Sequence, residues 1–428
     1  MFTDRAHSRR EFLTGALKAV SACIALPSIG KIFAEEDPYD AITVASPVKS
    51  VIFVNMVGGM SHVDTLDPKP DSAFAAVNSS IAGVRVCETL QKSAAQLSSL
   101  NLVRTLRSED GAHDFGQHLV NTGYRFTESQ GFPDIPSLGS VVAYASTRRD
   151  TGAYFPSNII INDRGHGGSA GFLGVKYAGF HISNPQRGIQ NLIGASQLSS
   201  ERLTRREKLL EILNEDFFRR NNPQAYNTWK QMFESALSFM NSDRLSVFDL
   251  GLMPAKLKAS FGDTRIGNAF ALAYRLAEKQ TPFIQINIGG WDTHNNNRAK
   301  VAEICRDLDP ALATLLGELK ASGLFSQTLF VLVSEFGRTP DAGGKDGRDH
   351  YPKIFSGLIG GGALVKGQVL GETDAKGEKP LKESWHLKEF LSTMHRAAGI
   401  DPEAQLTSST GRPFSLSPRE TRYISELF

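Results

Sequence analysis

Three apolar runs constrain the fold of this chain more than any other feature: "KSVIFVNMV" from Lys49, "PFIQINI" from Pro282 and "TLFVLV" from Thr328. Each is short, rich in β-branched and aromatic residues, and bounded by glycines or polar turn residues, which is the patterning of strands rather than helices. They read as lacking the regular apolar–polar alternation of a half-solvated strand, so each is expected to be buried on both faces. Strands of that kind need helices above and below them. Helical periodicity is present in "GNAFALAYRLAEKQ", in "AEICRDLDPALATLLGELKASG" and in the charged region from Ser199 to Asn241,. The expected fold is therefore α/β: a doubly wound, mostly parallel sheet flanked by helices. "DIPSLGSVVAYAS" adds a short helix, and "SNIIINDRGHGGSAGFLG" a strand followed by a glycine-rich loop.

A chain of 428 residues is long enough for one large decorated domain,. That domain is expected over residues 48–428, with a helical insertion near 199–245. Net charge is +2 with 21% charged residues, which points to neither nucleic acid nor an acidic membrane surface as a partner,.

The amino terminus is a separate matter. Arg9 and Arg10 precede an apolar segment from Phe12 to Ile29 that Lys18 and Pro27 interrupt, so it is too short and broken to span a bilayer,. The pattern Ser-Arg-Arg-x-Phe-Leu resembles a twin-arginine signal, which implies the twin-arginine export machinery as a partner and a periplasmic or extracellular location. Residues 1–34 are then the signal peptide, cut after Ala34, and residues 35–47 a linker, with no transmembrane span in the mature chain. "VSAC" offers an alternative in which Cys23 is acylated as a lipid anchor, although the apolar residues beyond it weigh against this. Cys87 and Cys305 are the remaining cysteines. They could pair in an oxidising compartment, but they set no disulfide framework and have no zinc-type spacing.

Acids, imidazoles and hydroxyls concentrate in four places that follow apolar runs. These are "GGMSHVDTLDP" with Ser61, His62, Asp64 and Asp67; "SEDGAHDFGQH" with Ser108, His113 and His118; "GGWDTHNNN" with Asp292 and His294; and "SEFGRTP" with "GRDHYP", carrying Glu335, Arg338, Asp349 and His350. Any one of them has a plain structural reading, as a turn-capping Asp, a core His or an Arg338–Glu335 pair. Loops after parallel strands nevertheless converge on one edge of the sheet, where ligands bind in such folds. Imidazole with carboxylate suits Zn²⁺, Mn²⁺ or iron, and carboxylate with water suits Mg²⁺ or Ca²⁺. The mixture favours a transition-type ion, while the choice among Zn, Mn, Ca and Mg stays open. "GLIGGGALVKG" is expected to form turns, because no Lys-Ser or Lys-Thr follows it to make a phosphate cradle.

In order along the chain, "VGGMSHVDTLDPKP", "HDFGQHLVNTGYR", "GGWDTHNNN", "SEFGRTP", "GRDHYP" and "GIDPEAQL" with "GRPFSL" resemble the motifs of the bacterial family called domain of unknown function 1501, which is grouped with the alkaline phosphatase and sulfatase-like superfamily. The resemblance implies an alkaline phosphatase-like sheet, one or two divalent metal ions, and hydrolysis of phosphate or sulfate esters. Position by position it implies Glu335, Asp292, His294, His350 and Asp349 as metal ligands or their supports, with Asp64 as a further ligand reaching back to the first strand. Three departures stand out. Phe336 occupies a place where a liganding His is usual, "VNMVGG" ends in glycines where Asp is common, and no Cys-x-Pro-x-Arg occurs for formylglycine chemistry.

His113, Ser61 and Arg338 are the catalytic candidates. His113 can be read as a ligand, a general base or a nucleophile, and Ser61 and Ser108 are the nearby hydroxyls. His166 could line the cleft; His181, His386 and His395 carry less weight. Two functions follow: an exported metal-dependent hydrolase acting on a small-molecule or polymer ester, or a non-catalytic secreted binding or envelope-assembly protein on the same fold.

Overall fold

The computed structural model describes residues 42–126, 135–147, 155–162, 167–189, 223–240, 242–342 and 346–428, with isolated helical residues between 202 and 212. The expected signal peptide, Cys23, His166 and much of the expected 199–245 insertion lie outside the described residues. Residues 42–428 cluster as one compact unit.

The apolar runs are the strands expected of them. The central sheet contains, in chain order, β1 (Ser50–Met56), β2 (Asn101–Arg107), β3 (Asn158–Ile161), β4 (Phe180–Ile182), β5 (Phe283–Ile288), β6 (Thr328–Val333), β7 (Phe355–Gly361), β8 (Val369–Leu370) and β9 (Trp385–His386). In space they run β8-β2-β7-β6-β1-β5-β3-β4, with β9 also paired to β2. Every pairing is parallel except those of β7, which runs against both β6 and β2. The mostly parallel α/β sheet read from the sequence is thus the one observed. β7 carries a correction, because "GLIGG" at the start of "GLIGGGALVKG" is strand rather than turn.

Helices α1 (His113–Thr122), α2 (Leu138–Ala145), α3 (Pro223–Met240), α4 (Arg265–Glu278), α5 (Asn297–Ala321) and α6 (Leu387–Ala397) accompany the sheet. Side chains alternate across a strand, so β1 feeds two cores. Ile52, Val54 and Met56 join Ile284, Ile286 and Ile288 of β5 with Phe270 and Leu272 of α4 and Leu308, Leu312 and Leu315 of α5. Val51 and Phe53 point the other way, into a core with Leu119 and Val120 of α1, Val141 of α2 and Phe390 and Met394 of α6. His386 caps α6: its Nδ1 accepts the Lys388 N–H, and Glu389 reaches back to the His386 N–H,.

One reading of the strands needs amendment. Gln285 and Asn287 of β5 do alternate with isoleucines, and both face α1 together with Asn55 of β1. Asn55 Nδ2 donates to Gln117 Oε1 and Asn287 Oδ1, while Gln285 Nε2 donates to Asn121 Oδ1 and Asn287 Oδ1. A buried layer of five amides therefore lies under the helix that begins with His113. The isoleucines of β5, Ile284, Ile286 and Ile288, lie on the opposite side.

Candidate metal centre

β1, β2, β5 and β6 all run in the same direction, so their carboxyl ends share one edge of the sheet, and the segments leaving them carry the candidate groups,. β5 leads through Gly289 and Gly290 to Asp292 and His294, β6 leads directly to Glu335, and β2 leads to His113 at the start of α1. A two-residue hairpin, Gly337–Arg338 against His350–Tyr351, places His350 opposite Arg338. Four of the sequence motifs are thereby brought to one place.

The focus is Asp292 Oδ1. His294 Nε2 lies 3.2 Å from it, His113 Nε2 3.4 Å and His350 Nε2 3.5 Å. His294 Nε2 and His350 Nε2 are 3.0 Å apart. Each imidazole is held by its other nitrogen. His113 Nδ1 meets Glu335 Oε1 at 2.8 Å, His294 Nδ1 meets Asp349 Oδ1 at 3.0 Å, and His350 Nδ1 meets the Gly111 carbonyl at 2.6 Å. Ionised carboxylates and carbonyls only accept hydrogen bonds, so these contacts put the proton on all three Nδ1 atoms and turn three Nε2 lone pairs inward.

Those lone pairs fit a divalent ion. Donors at about 2.0–2.1 Å from a tetrahedral Zn²⁺ stand about 3.3 Å from one another. The separations of 3.0–3.5 Å between Asp292 Oδ1 and each imidazole, and between His294 and His350, match that spacing, while His294 stands outside the group of three whose ligand atoms are all mutually close. His113 Nε2 is moreover buried without a hydrogen-bond partner, which is costly unless something accepts its lone pair,. His113, Asp292 and His350 can each offer a ligand atom within 4.8 Å of the others. With Asp292 49% and His294 42% exposed, the group opens to solvent on one side.

Of the supporting residues, Glu335 and Arg338 are fully buried, whereas Asp349 is exposed. Glu335 Oε1 accepts the Gly58 N–H at 2.8 Å as well as bonding to His113, and its Oε2 accepts from the Ser334 hydroxyl. Its hydrogen bond to His113 raises that imidazole's pKa against the opposing effect of burial. Arg338 does not pair with Glu335, as the plain reading had it. Its guanidinium donates to Asp292 Oδ1 and to the carbonyls of Gly58, Gly59 and Arg348. Burial would raise the Asp292 carboxyl, but Arg338, with help from His113 and His294, holds it down to about 2. Burial lowers His350, and the nearby positive charges act in the same direction.

Phe336 forms the floor of the centre. Its buried ring centroid lies 5.0 Å from that of His113 and 4.7 Å from that of His350, so it packs against two imidazoles where the resemblance would have supplied a third. Glycine is required beside it. A Cβ on Gly59, whose φ is +84°, would come within 2.8 Å of the Phe336 ring, and a Cβ on Gly116 within 2.9 Å of Glu335 Cβ,.

Two expected members do not join the group. Asp64 is fully buried and accepts from Arg348 Nε at 2.7 Å, Arg348 Nη2 at 3.1 Å, Asn297, the Ala73 N–H and Ser61. Both oxygens are engaged in a structural ion pair. Burial works against its charge, and Arg348 more than compensates, lowering its pKa. Ser61 donates its hydroxyl to that same carboxylate at 2.8 Å, and the Ser108 hydroxyl accepts the Asp110 N–H. Neither Asp64 as a ligand nor Ser61 as a nucleophile is supported, because each is tied up in local structure. Cys87 and Cys305 are both free and buried, and burial pushes each thiol up to about 12. His181 is exposed on edge strand β4, whereas His395 is in the core.

Sequence reasoning noted the two glycines after β1 but not their carbonyls, and it passed over the Gly111 carbonyl and the amide layer. The polar residues at alternate positions in "PFIQINI" were the readable sign of that layer.

The chain belongs to the family described as "Protein of unknown function (DUF1501)", which matches residues 48–428. No curated protein matches it. Among solved structures it is similar to the lipoteichoic acid synthase LtaP from Listeria monocytogenes, at 10% identity and a TM-score of 0.38, covering 89% of this chain and 80% of that one. It is also similar to the periplasmic domain of EcEptC from Escherichia coli in complex with Zn, at 9% identity and a TM-score of 0.39, covering 88% and 92%. A third is the PsFucS1 sulfatase from Pseudoalteromonas sp., at 15% identity and a TM-score of 0.37, covering 83% and 68%.

Proposed function

We propose that this protein is an exported, metal-dependent hydrolase of phosphate or sulfate esters, with its metal held by His113, Asp292, His294 and His350. One observation carries the reading: three imidazoles have their Nδ1 atoms anchored to acceptors and aim their Nε2 atoms at one carboxylate oxygen. A divalent ion in that position would act as a Lewis acid toward an ester oxygen and favour attack by water. The chain's own residues supply the orientation. Glu335 and Asp349 hold His113 and His294, the Gly111 carbonyl holds His350, and Arg338 holds Asp292. Solvent reaches the centre at Asp292 and His294, which is where an ester would enter. Export is inferred from Arg9, Arg10 and the apolar segment after them,.

The test is metal analysis of the purified protein alongside hydrolysis of p-nitrophenyl phosphate and p-nitrophenyl sulfate. Bound metal, with an activity that Asp292→Asn abolishes, is the expected result. Absence of any divalent ion, with no effect of added ions on melting temperature, would refute the reading.

A second reading, a non-catalytic binding or envelope-assembly protein, draws on the Phe336 floor and on the engagement of Ser61 by Asp64. It predicts metal binding and partner capture without ester hydrolysis.

A further inference from the structure

Resting on the metal-binding reading above, we propose that the centre is built for one divalent ion and that the Arg338 guanidinium is its permanent second cation. A second ion on the Arg338 side of the centre would need carboxylates or carbonyls of its own, and among the described residues those that meet Arg338 or lie behind His113 are already engaged. The carbonyls of Gly58 and Gly59 accept from Arg338, as do the Arg348 carbonyl and Asp292 Oδ1. Glu335 is fully buried and accepts from the Gly58 N–H and Ser334 while bonding to His113. Asp64 belongs to Arg348. Arg338 is itself fully buried, and a guanidinium keeps its charge in such surroundings,.

The chain around it is shaped to make this arrangement. Gly58 and Gly59 follow β1 at φ of +115° and +84°, a conformation that side chains resist, and the turn presents both carbonyls to one guanidinium,. A Cβ on Gly58 would come within 2.6 Å of the Asp292 backbone nitrogen, so the turn lies directly against the segment that carries the ligand. Phe336 closes the remaining side with an apolar ring against His113 and His350. Arg338 therefore acts as a positioning residue: it fixes Asp292 Oδ1 at the focus of the imidazoles and fills the neighbouring cation position with a charge that cannot leave.

The experiment uses the full chain, stripped with a chelator and titrated with Zn²⁺ alone, with stoichiometry read by native mass spectrometry and calorimetry. One ion per chain at saturation is expected. Two ions would overturn the proposal while leaving metal binding intact, and none would overturn both. Arg338→Ala, if folded by circular dichroism, should bind Zn²⁺ about 10-fold more weakly or worse. Low-millimolar guanidinium chloride should restore that affinity where the same concentration of sodium chloride does not. Unchanged affinity in the folded variant would refute the positioning role. Arg338→Lys, which keeps a charge at the position, is expected to retain a stoichiometry of one, and a stoichiometry of two in this variant would count against the proposal even if Arg338→Ala fails to fold.

Discussion

His294 Nε2 stands 3.0 Å from His350 Nε2, while the Nδ1 atom of each ring is held by an acceptor, Asp349 on one side and the Gly111 carbonyl on the other. Two lone pairs at that distance repel unless a proton or a metal ion lies between them. Divalent metal should therefore stabilise the fold. Adding Zn²⁺ to chelator-treated protein at about 100 times its dissociation constant is expected to contribute about 2.7 kcal/mol. A rise of a few degrees in Tm, measured by calorimetry, is the expected outcome, and an unchanged Tm would count against the centre.

The ligands should separate from their supports by the size of the effect. His350→Ala removes a donor from the focus and Asp292→Asn removes its negative charge, and each is expected to cut Zn²⁺ affinity by well over about 10-fold. Asp349→Ala removes only the acceptor behind a half-exposed His294, so its loss should be smaller, on the order of 10-fold or less,. Calorimetric titration of the three variants gives the ranking. Equal losses in all three would mean that Asp349 is a ligand and not a support.

Part of this centre was legible in the sequence because its residues sit directly after apolar runs. Asp292, His294, Glu335 and His350 follow or pair with strands whose direction the runs already implied, and parallel strands bring their carboxyl ends together. The role of Arg338 was not legible. It depends on the carbonyls of Gly58 and Gly59, which lie 280 and 279 residues away and have no side chain to signal their use. Asp64 was misread for the complementary reason. An Asp shortly after a strand looks the same in sequence whether it faces a metal or an arginine, and only the fold brings Arg348 to it from 284 positions downstream. The amide layer was half visible in Gln285 and Asn287, but its partners Gln117 and Asn121 lie on a helix whose packing face the sequence left open.

Asp64 provides a structural control. Asp64→Asn should leave Arg348 buried without its counter-charge, and removal of one partner of a buried pair costs about 3–5 kcal/mol. The variant is expected to unfold at markedly lower urea concentration yet, while folded, to bind Zn²⁺ with unchanged affinity. A loss of affinity comparable to that of Asp292→Asn would return Asp64 to the ligand set.

The last prediction concerns acid stability and involves no metal ligand. His395 lies in α6, fully buried, and neither ring nitrogen has a hydrogen-bond partner among the described residues. Burial alone pushes its pKa down from 6.5 to about 4. Above pH 6.5 the ring is neutral in both folded and unfolded chains and contributes no pH dependence. As pH falls through 6.5 the unfolded chain takes up a proton that the folded chain refuses, so stability declines until the folded ring also titrates near pH 4. Between pH 7.5 and 4.5 this one group should remove roughly 2–3 kcal/mol. His395→Leu, similar in size and without the titrating nitrogens, should lack that component. Urea unfolding of both proteins at pH 7.5, 5.5 and 4.5 measures it, and parallel losses in the two would show that His395 takes up its proton equally in the folded and unfolded chains, against the prediction.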